Sequence, residues 1–309
     1  MRLLTFRDAA GAPRLGALDA DDAVVDLTAA ESAPQLASML ALIDAGADGL
    51  ARAADALGRA PAGARRHLAE TDLLAPLPVP RKIRDFLAFE GHLRNMAARM
   101  AGPGRDIPPV PPGWYERPIY AKQNVHSVVG TGHDVQWPPY SEELDYELEL
   151  ACVIGRGGKD IARADAMEHV FGYTIYNDVS ARDEQRREWG PTGSMKGKDF
   201  DTGNILGPWI VTADELGSPY GLTMTARVNG VEWSRGDSGD MHHRFEDMIA
   251  FASLSETIVA GEVFGSGTCP TGCGAEQGRF PQPGDVVELE IERIGVLRNR
   301  YVKPGREES

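Results

Sequence analysis

The chain is 309 residues long, and its 46 acidic residues against 32 basic ones give a formal net charge of −14. With no stripe of Lys and Arg to neutralise phosphates, nucleic acid is excluded as an expected partner. No apolar run approaches the ~18 residues of a membrane span, and the opening Met-Arg-Leu-Leu-Thr-Phe-Arg-Asp lacks a leader's apolar stretch, so a cytoplasmic enzyme with no membrane partner is the expected class.

Residues 1–75 are rich in alanine and read as a strand over 2–6, a hairpin around Asp19-Ala20-Asp21-Asp22 leading into Val24-Val25, and helical periodicity over 35–69. No chemistry-bearing cluster falls among them. The run Leu73-Leu74-Ala75-Pro76-Leu77-Pro78-Val79-Pro80 then interrupts any regular element, because each proline restricts itself and the residue before it. It marks the expected boundary between a small N-terminal α+β domain (1–75) and a larger domain (80–305).

Arg84 to His92 reads as a strand passing into a helix that runs to about residue 100, with Gly91 able to redirect the chain and turn His92 away from the packing face. The bland alternative is a capping or packed histidine, the commoner fate of a lone His. Residues 102–113 hold five prolines and three glycines and are expected to be a loop, either a site cover or a Pro-rich spacer.

Leu144-Asp145-Tyr146-Glu147-Leu148-Glu149-Leu150 alternates leucine or tyrosine with acid, so an extended chain places Asp145, Glu147 and Glu149 on one face. Like charges at that spacing repel unless a cation covers them, and a hard divalent ion with oxygen ligands is the usual solution. The competing reading is an edge strand with a solvated acidic face. A β-prone run from Phe171 to Tyr176 follows and ends in Asn177-Asp178, where Asp178 is either a ligand at a strand end or an ordinary turn aspartate.

Ser180 to Gln185 opens a charged helix, and a Gly/Pro turn leads to Lys196-Gly197-Lys198-Asp199-Phe200-Asp201-Thr202. A lysine beside carboxylates balances charge or holds an anionic substrate group; otherwise it is a solvated surface residue. The remainder reads as a sheet-rich domain, with strands over 223–228, 258–264 and 286–291 and a helix over 245–253. Gly265-Ser266-Gly267-Thr268 is a loop whose backbone donors could meet an oxyanion, or a plain tight turn. Met241-His242-His243 has no third histidine and is expected to be helix-entry structure. The cysteines, Cys152, Cys269 and Cys273, are odd in number, and Cys269 and Cys273 lack a second thiol or histidine pair, so reduced packed thiols are expected.

The acidic stretch, Asn177-Asp178-Val179-Ser180-Ala181-Arg182-Asp183, Lys198 with Thr202, and Gly265-Ser266-Gly267-Thr268 together resemble the fumarylacetoacetate hydrolase family, over about residues 80–302. The resemblance implies a mixed β-sandwich or β-roll within an α+β, β-rich chain, usually a homodimer, that holds one Mg²⁺ (alternatively Ca²⁺ or Mn²⁺). It implies Glu147, Glu149 and Asp178 as metal ligands, and Asp85, seven residues before His92, as the fourth ligand found in fumarylacetoacetases. Lys198 matches the family's site lysine, and Thr202 a further position counted with the metal. Arg182 and Gln185 fall where the family contacts substrate, and Gly267 and Thr268 form its Gly-Thr loop. Small members pair the histidine with a glutamate three residues later, which is Asn95 here; Glu276, beyond the Gly-Thr loop, is the nearest other candidate partner. Leu87 stands where fumarylacetoacetases carry an aromatic residue, which argues against fumarylacetoacetate itself as substrate.

The expected activity is hydrolysis of a carbon-carbon bond in an acylpyruvate or other 1,3-dicarbonyl acid, with His92 as general base and the cation lowering the cost of the enolate. Decarboxylation, isomerisation or hydration of a β-keto or 2-oxo acid is the alternative at the same metal site. A non-catalytic chain with a structural ion is the third possibility.

Overall fold

Leu148–Ile154 runs near the middle of an 11-stranded sheet, and both of its faces are buried. The computed structural model describes residues 1–188 and 195–303. The expected Gly/Pro turn before Lys196 and the last residues of the 80–305 span lie outside the described residues. In one direction from Leu148–Ile154 lie Val170–Asp178, Asn204–Thr212, Arg2–Arg7, Pro13–Leu18, Val24–Asp26 and Arg65–Arg66; in the other lie Glu262–Gly265, Lys82–Phe86 and Tyr120–Gln123. Most neighbours are antiparallel, but Glu262–Gly265 pairs in parallel with Lys82–Phe86, which sets Asp85 opposite Gly265. A five-stranded sheet (Val231–Asp237, Thr223–Val228, Val286–Ile291, Gly295–Val302, Asp134–Gln136) supplies the second layer.

The two layers enclose the main core, with Leu148, Leu150, Cys152 and Ile154 contributed by the first sheet and Met224, Ala226, Leu289 and Ile291 by the second. Helix Phe245–Ser253 closes it, burying Phe245, Met248, Ile249 and Ala252 at the i, i+3, i+4, i+7 spacing of one helical face. The other face of the first sheet (Ala151, Val153, Leu206, Ile210) is covered by Leu3, Leu15 and Val25 together with Leu42, Ile43 and Ala53 of helices Met39–Asp44 and Gly46–Arg59. An α+β, strand-rich fold of two sheets is thus the architecture. The N-terminal strands extend the large sheet, since Arg2 and Leu3 pair with Val211 and Ile210. Among the described residues no helix is long and apolar enough to cross a membrane.

Two local expectations change. The helical run expected over 35–69 ends as a helix at Arg59, because Ala60 leaves the helical region ahead of Pro61. The acidic stretch is not one amphipathic strand: Leu144–Asp145 pairs with Ser180–Ala181, whereas Leu148–Ile154 pairs with Val170–Asp178. The interruption at Tyr146 and Glu147 sends Asp145, Glu147 and Glu149 to different partners. Past Glu149 the same face turns apolar with Ala151 and Val153, so no solvated acidic face exists.

Candidate active site and metal centre

Three strands deliver three carboxylates to one point. Asp85 comes from Lys82–Phe86, Glu149 from Leu148–Ile154 and Asp178 from the end of Val170–Asp178, and one oxygen of each lies within 4.8 Å of the others. Burial, followed by repulsion from neighbouring acids, pushes the Asp85 and Glu149 carboxyls well above the usual carboxylate range; burial likewise raises Asp178. Asp85 Oδ1, Glu149 Oε1 and Asp178 Oδ1 are buried with no hydrogen-bond partner. Unpartnered buried oxygens are costly unless something positive meets them, and an all-oxygen donor set suits a hard divalent cation. The residues present therefore fit a cation held by Asp85, Glu149 and Asp178. Gly265 makes room for Glu149: a Cβ there would fall 2.7 Å from Glu149 Oε2.

Glu147, expected as a ligand, is turned elsewhere. Its Oε2 lies 2.5 Å from Lys198 Nζ and its Oε1 2.7 Å from Arg182 Nη2. Burial works against its ionisation, but Lys198 and Arg182 outweigh burial and hold its carboxyl far below the usual range. Lys198 also pairs with Asp178, so it links Glu147 to the triad. Asp145 takes no part in the triad. It accepts the Gly274 and Ala275 amides (2.8 and 2.9 Å) and Arg182 Nε (2.9 Å), which ties the start of helix Gly274–Gln277 to the acidic stretch.

Arg182, expected to contact substrate, is paired with Asp145 and Glu147, its Nη1 donates to Gln185 Oε1 at 3.0 Å, and both residues line a cleft. Thr202, expected beside the metal, receives the Gln136 amide on its hydroxyl (2.8 Å) at a left-handed turn (φ 64°). In the Gly-Thr loop, expected to contact substrate, the Gly267 amide donates to Glu149 Oε2 at 3.0 Å and so positions a carboxylate of the triad. Thr268 is buried beside it.

His92, in the first turns of helix Glu90–Ala101, is buried, and its Nδ1 lies 2.9 Å from Glu276 Oε1. The partner left open between Asn95 and Glu276 is therefore Glu276. Asn95 has a supporting part, donating to Glu276 Oε2 at 2.6 Å, where the Thr271 amide also donates at 2.9 Å. Cys273 Sγ donates to Oε1 at 3.5 Å. Because Asn95, the Thr271 amide and Cys273 all donate to Glu276, Glu276 is an acceptor and His92 Nδ1 is the donor of the pair. The Gly91 position is explained by packing: a Cβ there would fall 2.8 Å from Pro270 Cγ.

Gln123 was not marked by any sequence signal beyond the strand it ends. Its amide Nε2 donates to both Asp85 Oδ2 and Asp178 Oδ2 at 3.3 Å. His243 is no ligand: its Nε2 lies against the Trp114 carbonyl (2.5 Å), while Trp114 Nε1 donates to the Leu87 carbonyl (2.7 Å). All three cysteines are buried and free.

Residues 81–302 match the family model for the C-terminal domain of fumarylacetoacetate (FAA) hydrolase. The chain belongs to the fumarylacetoacetate hydrolase family. Among relatives of this family, it is 42% identical over 195 residues to human oxaloacetate tautomerase FAHD2A, mitochondrial; that stretch is 63% of the chain and 60% of the relative's length. It is 35% identical over 311 residues to oxaloacetate tautomerase fahd2, mitochondrial, from Xenopus laevis, covering 98% of the chain and 90% of the relative. Among solved structures, fumarylacetoacetate hydrolase (EaFAH) of the psychrophilic Exiguobacterium antarcticum superposes with a TM-score of 0.77 at 28% identity, over 98% of this chain and 100% of that one.

Proposed function

We propose that the chain is a divalent-cation-dependent enzyme that moves a proton to and from the carbon beside the keto group of a 2-oxo acid, interconverting keto and enol forms. The observation that carries this reading is the buried His92–Glu276 pair, which stands as a second cluster alongside the Asp85, Glu149 and Asp178 triad. His92 lies near enough to Glu147 to bear on its ionisation, which links the dyad to the Lys198 side of the triad.

In this reading Asp85, Glu149 and Asp178 hold the cation, with Mg²⁺ as first choice, and Gln123 and the Gly267 amide keep their carboxylates in place. A bound dication supplies Lewis acidity toward the substrate's carbonyl oxygens. His92 Nε2 takes the proton from carbon, and Glu276 stabilises the imidazolium that forms, while Asn95 and Thr271 fix Glu276 in orientation. Lys198, whose ammonium donates to Glu147 and Asp178, places a fixed positive charge beside the triad, where it favours negative charge developing on the substrate. The names of the mitochondrial relatives support tautomerisation of a 2-oxo acid.

Hydrolysis of a carbon-carbon bond in an acylpyruvate is the second reading. It is favoured by the fumarylacetoacetate hydrolase among the structural neighbours and by the same dyad, which could equally take a proton from water. The two are separated by following ketonisation of enol-oxaloacetate and cleavage of acylpyruvates in parallel, with Mg²⁺. His92→Ala is expected to lower the faster rate by about 100-fold while Mg²⁺ still raises the melting temperature. An unchanged rate removes His92 from the chemistry, and Mg²⁺ stabilisation without turnover of either substrate leaves only a structural ion.

A further inference from the structure

Cys273 caps the start of helix Gly274–Gln277 and Glu276 sits in its first turn, while His92 reaches them from helix Glu90–Ala101. One ligand atom each of His92, Cys273 and Glu276 lies within 4.8 Å of the other two. The His92 side chain is 8% exposed and that of Glu276 1%, and Cys273 is buried. The backbone holds the thiol in place: Cys273 bridges to Glu147, and the Leu148 amide donates to the Gly272 carbonyl at 2.9 Å. Ala275, which follows Cys273 by two residues, and Met96, one turn beyond His92, both line a cleft of about 580 Å³, so both helices that carry the cluster border it.

These donors differ in kind from those of the triad. Asp85, Glu149 and Asp178 offer oxygen alone, which suits a hard ion, whereas an imidazole nitrogen, a sulfur and a carboxylate oxygen suit a borderline ion such as Zn²⁺. Tetrahedral zinc with bonds of roughly 2.0–2.3 Å sets its ligand atoms about 3.4–3.6 Å apart. Cys273 Sγ already stands 3.5 Å from Glu276 Oε1. His92 Nδ1, 2.9 Å from the same oxygen, has to withdraw by about 0.5 Å to reach the zinc spacing. As a hydrogen-bond donor the thiol contributes little, because S–H donates weakly and Glu276 also accepts from His92, Asn95 and the Thr271 amide. As a ligand it supplies the soft atom of the set.

We infer that His92 Nδ1, Cys273 Sγ and Glu276 Oε1 form a second cation site, for Zn²⁺, whose occupation turns the enzyme off. The inhibitory role rests on the proposed part of His92 as the base; the site itself does not. Binding breaks the Cys273 S–H bond and forms the S–Zn bond, and the proton passes to the buffer. The imidazole stays neutral: its proton moves from Nδ1 to Nε2, and the Nδ1 lone pair so released bonds the ion. Nε2, now protonated, has no lone pair with which to take a proton from carbon. Three protein ligands leave the fourth tetrahedral position to water.

The test uses Co²⁺ in place of Zn²⁺, because a thiolate bound to Co²⁺ gives a near-ultraviolet charge-transfer band that oxygen ligands do not. The full chain, with Mg²⁺ in excess to fill the triad, is expected to develop this band on titration with Co²⁺ and to lose it when Zn²⁺ is added. Cys273→Ser is expected to abolish the band, Glu276→Gln to weaken Co²⁺ binding by about tenfold or more, and Cys269→Ser to change neither. Zn²⁺ is expected to slow ketonisation of enol-oxaloacetate by the wild type, and Cys273→Ser, compared with its own Zn²⁺-free rate, to need about tenfold more Zn²⁺ for the same slowing. No band in the wild type, or a band that survives Cys273→Ser, overturns the site. A Co²⁺ affinity unchanged in Glu276→Gln overturns it too, which keeps the test decisive if Cys273→Ser fails to fold. A band accompanied by Zn²⁺-insensitive turnover overturns the inhibitory role, whereas a band in a protein that turns over neither enol-oxaloacetate nor acylpyruvates overturns the enzymatic reading and leaves the site standing.

Discussion

His92 Nδ1 and Glu276 Oε1 stand 2.9 Å apart although 184 residues separate them in the chain. The contact orients the imidazole and, in the proposed reaction, would set a buried counter-charge beside it. Glu276→Gln keeps the shape but withdraws the charge, so kcat is expected to fall by about 10- to 100-fold. Mg²⁺ affinity, read from the same titration for both proteins, should not change. A kcat within twofold of the wild type would show that the pair is structural only.

Cation binding is checked most directly at Asp178, which contributes an unpartnered buried oxygen to the triad. Mg²⁺ at about 100 times its Kd should raise the wild-type melting temperature by about 4 °C. In Asp178→Asn the Mg²⁺-dependent rise should vanish. A full shift in the variant would place the ion elsewhere.

Acid stability has a separate source, away from the site. Arg84, fully buried on the strand that carries Asp85, pairs with Glu262 (3.0 Å) and Glu256 (2.7 Å). Hydrogen bonds from Arg84 and then Lys82 lower the Glu256 carboxyl from 4.5 to about 2. A folded-state pKa below the unfolded one stabilises the protein above the unfolded value, and the contribution disappears as pH falls from about 4.5 to about 2. Urea unfolding of wild type and Glu256→Gln across that range should therefore converge toward low pH. A constant gap would mean that Glu256 acts by packing rather than by charge.

Gly267 is constrained twice, by φ 79° and by the Phe86 carbonyl, which would lie 2.3 Å from an added Cβ. Gly267→Ala is expected to cost about 2–3 kcal/mol in denaturant unfolding. It should also weaken Mg²⁺ binding, because the Gly267 amide holds Glu149. Wild-type stability would show that the loop relaxes at little cost.

Much of the β architecture was legible because its period-2 patterns and turn residues act locally. The strands Thr223–Val228 and Val286–Ile291 and the helix Phe245–Ser253 fall where the patterns place them. Asp85, Glu149, Asp178, Lys198 and His92 were marked by the family resemblance, with Glu276 as a candidate partner at another spacing, and the fold gathers the first four into one cluster and the last two into another. Less legible was which acid does what. Glu147 and Glu149 are equivalent by parity, and only the break at Tyr146, with the approach of Arg182 and Lys198 from later segments, divides an ion-paired glutamate from one in the carboxylate triad. Gln123 was invisible for the same reason: its part depends on Tyr120–Gln123 flanking the Asp85 strand, a long-range pairing that carries no local pattern.

The antiparallel seam between Arg2–Arg7 and Asn204–Thr212 bears on how the chain is cut for experiment. A truncated protein starting near residue 81, as the family match would suggest, exposes a row of unsatisfied amides and carbonyls next to the strand that ends in Asp178. It also bares Leu206 and Ile210 to water. Such a fragment should self-associate through that open flank, and its inactivity would say nothing about the chemistry of the intact molecule.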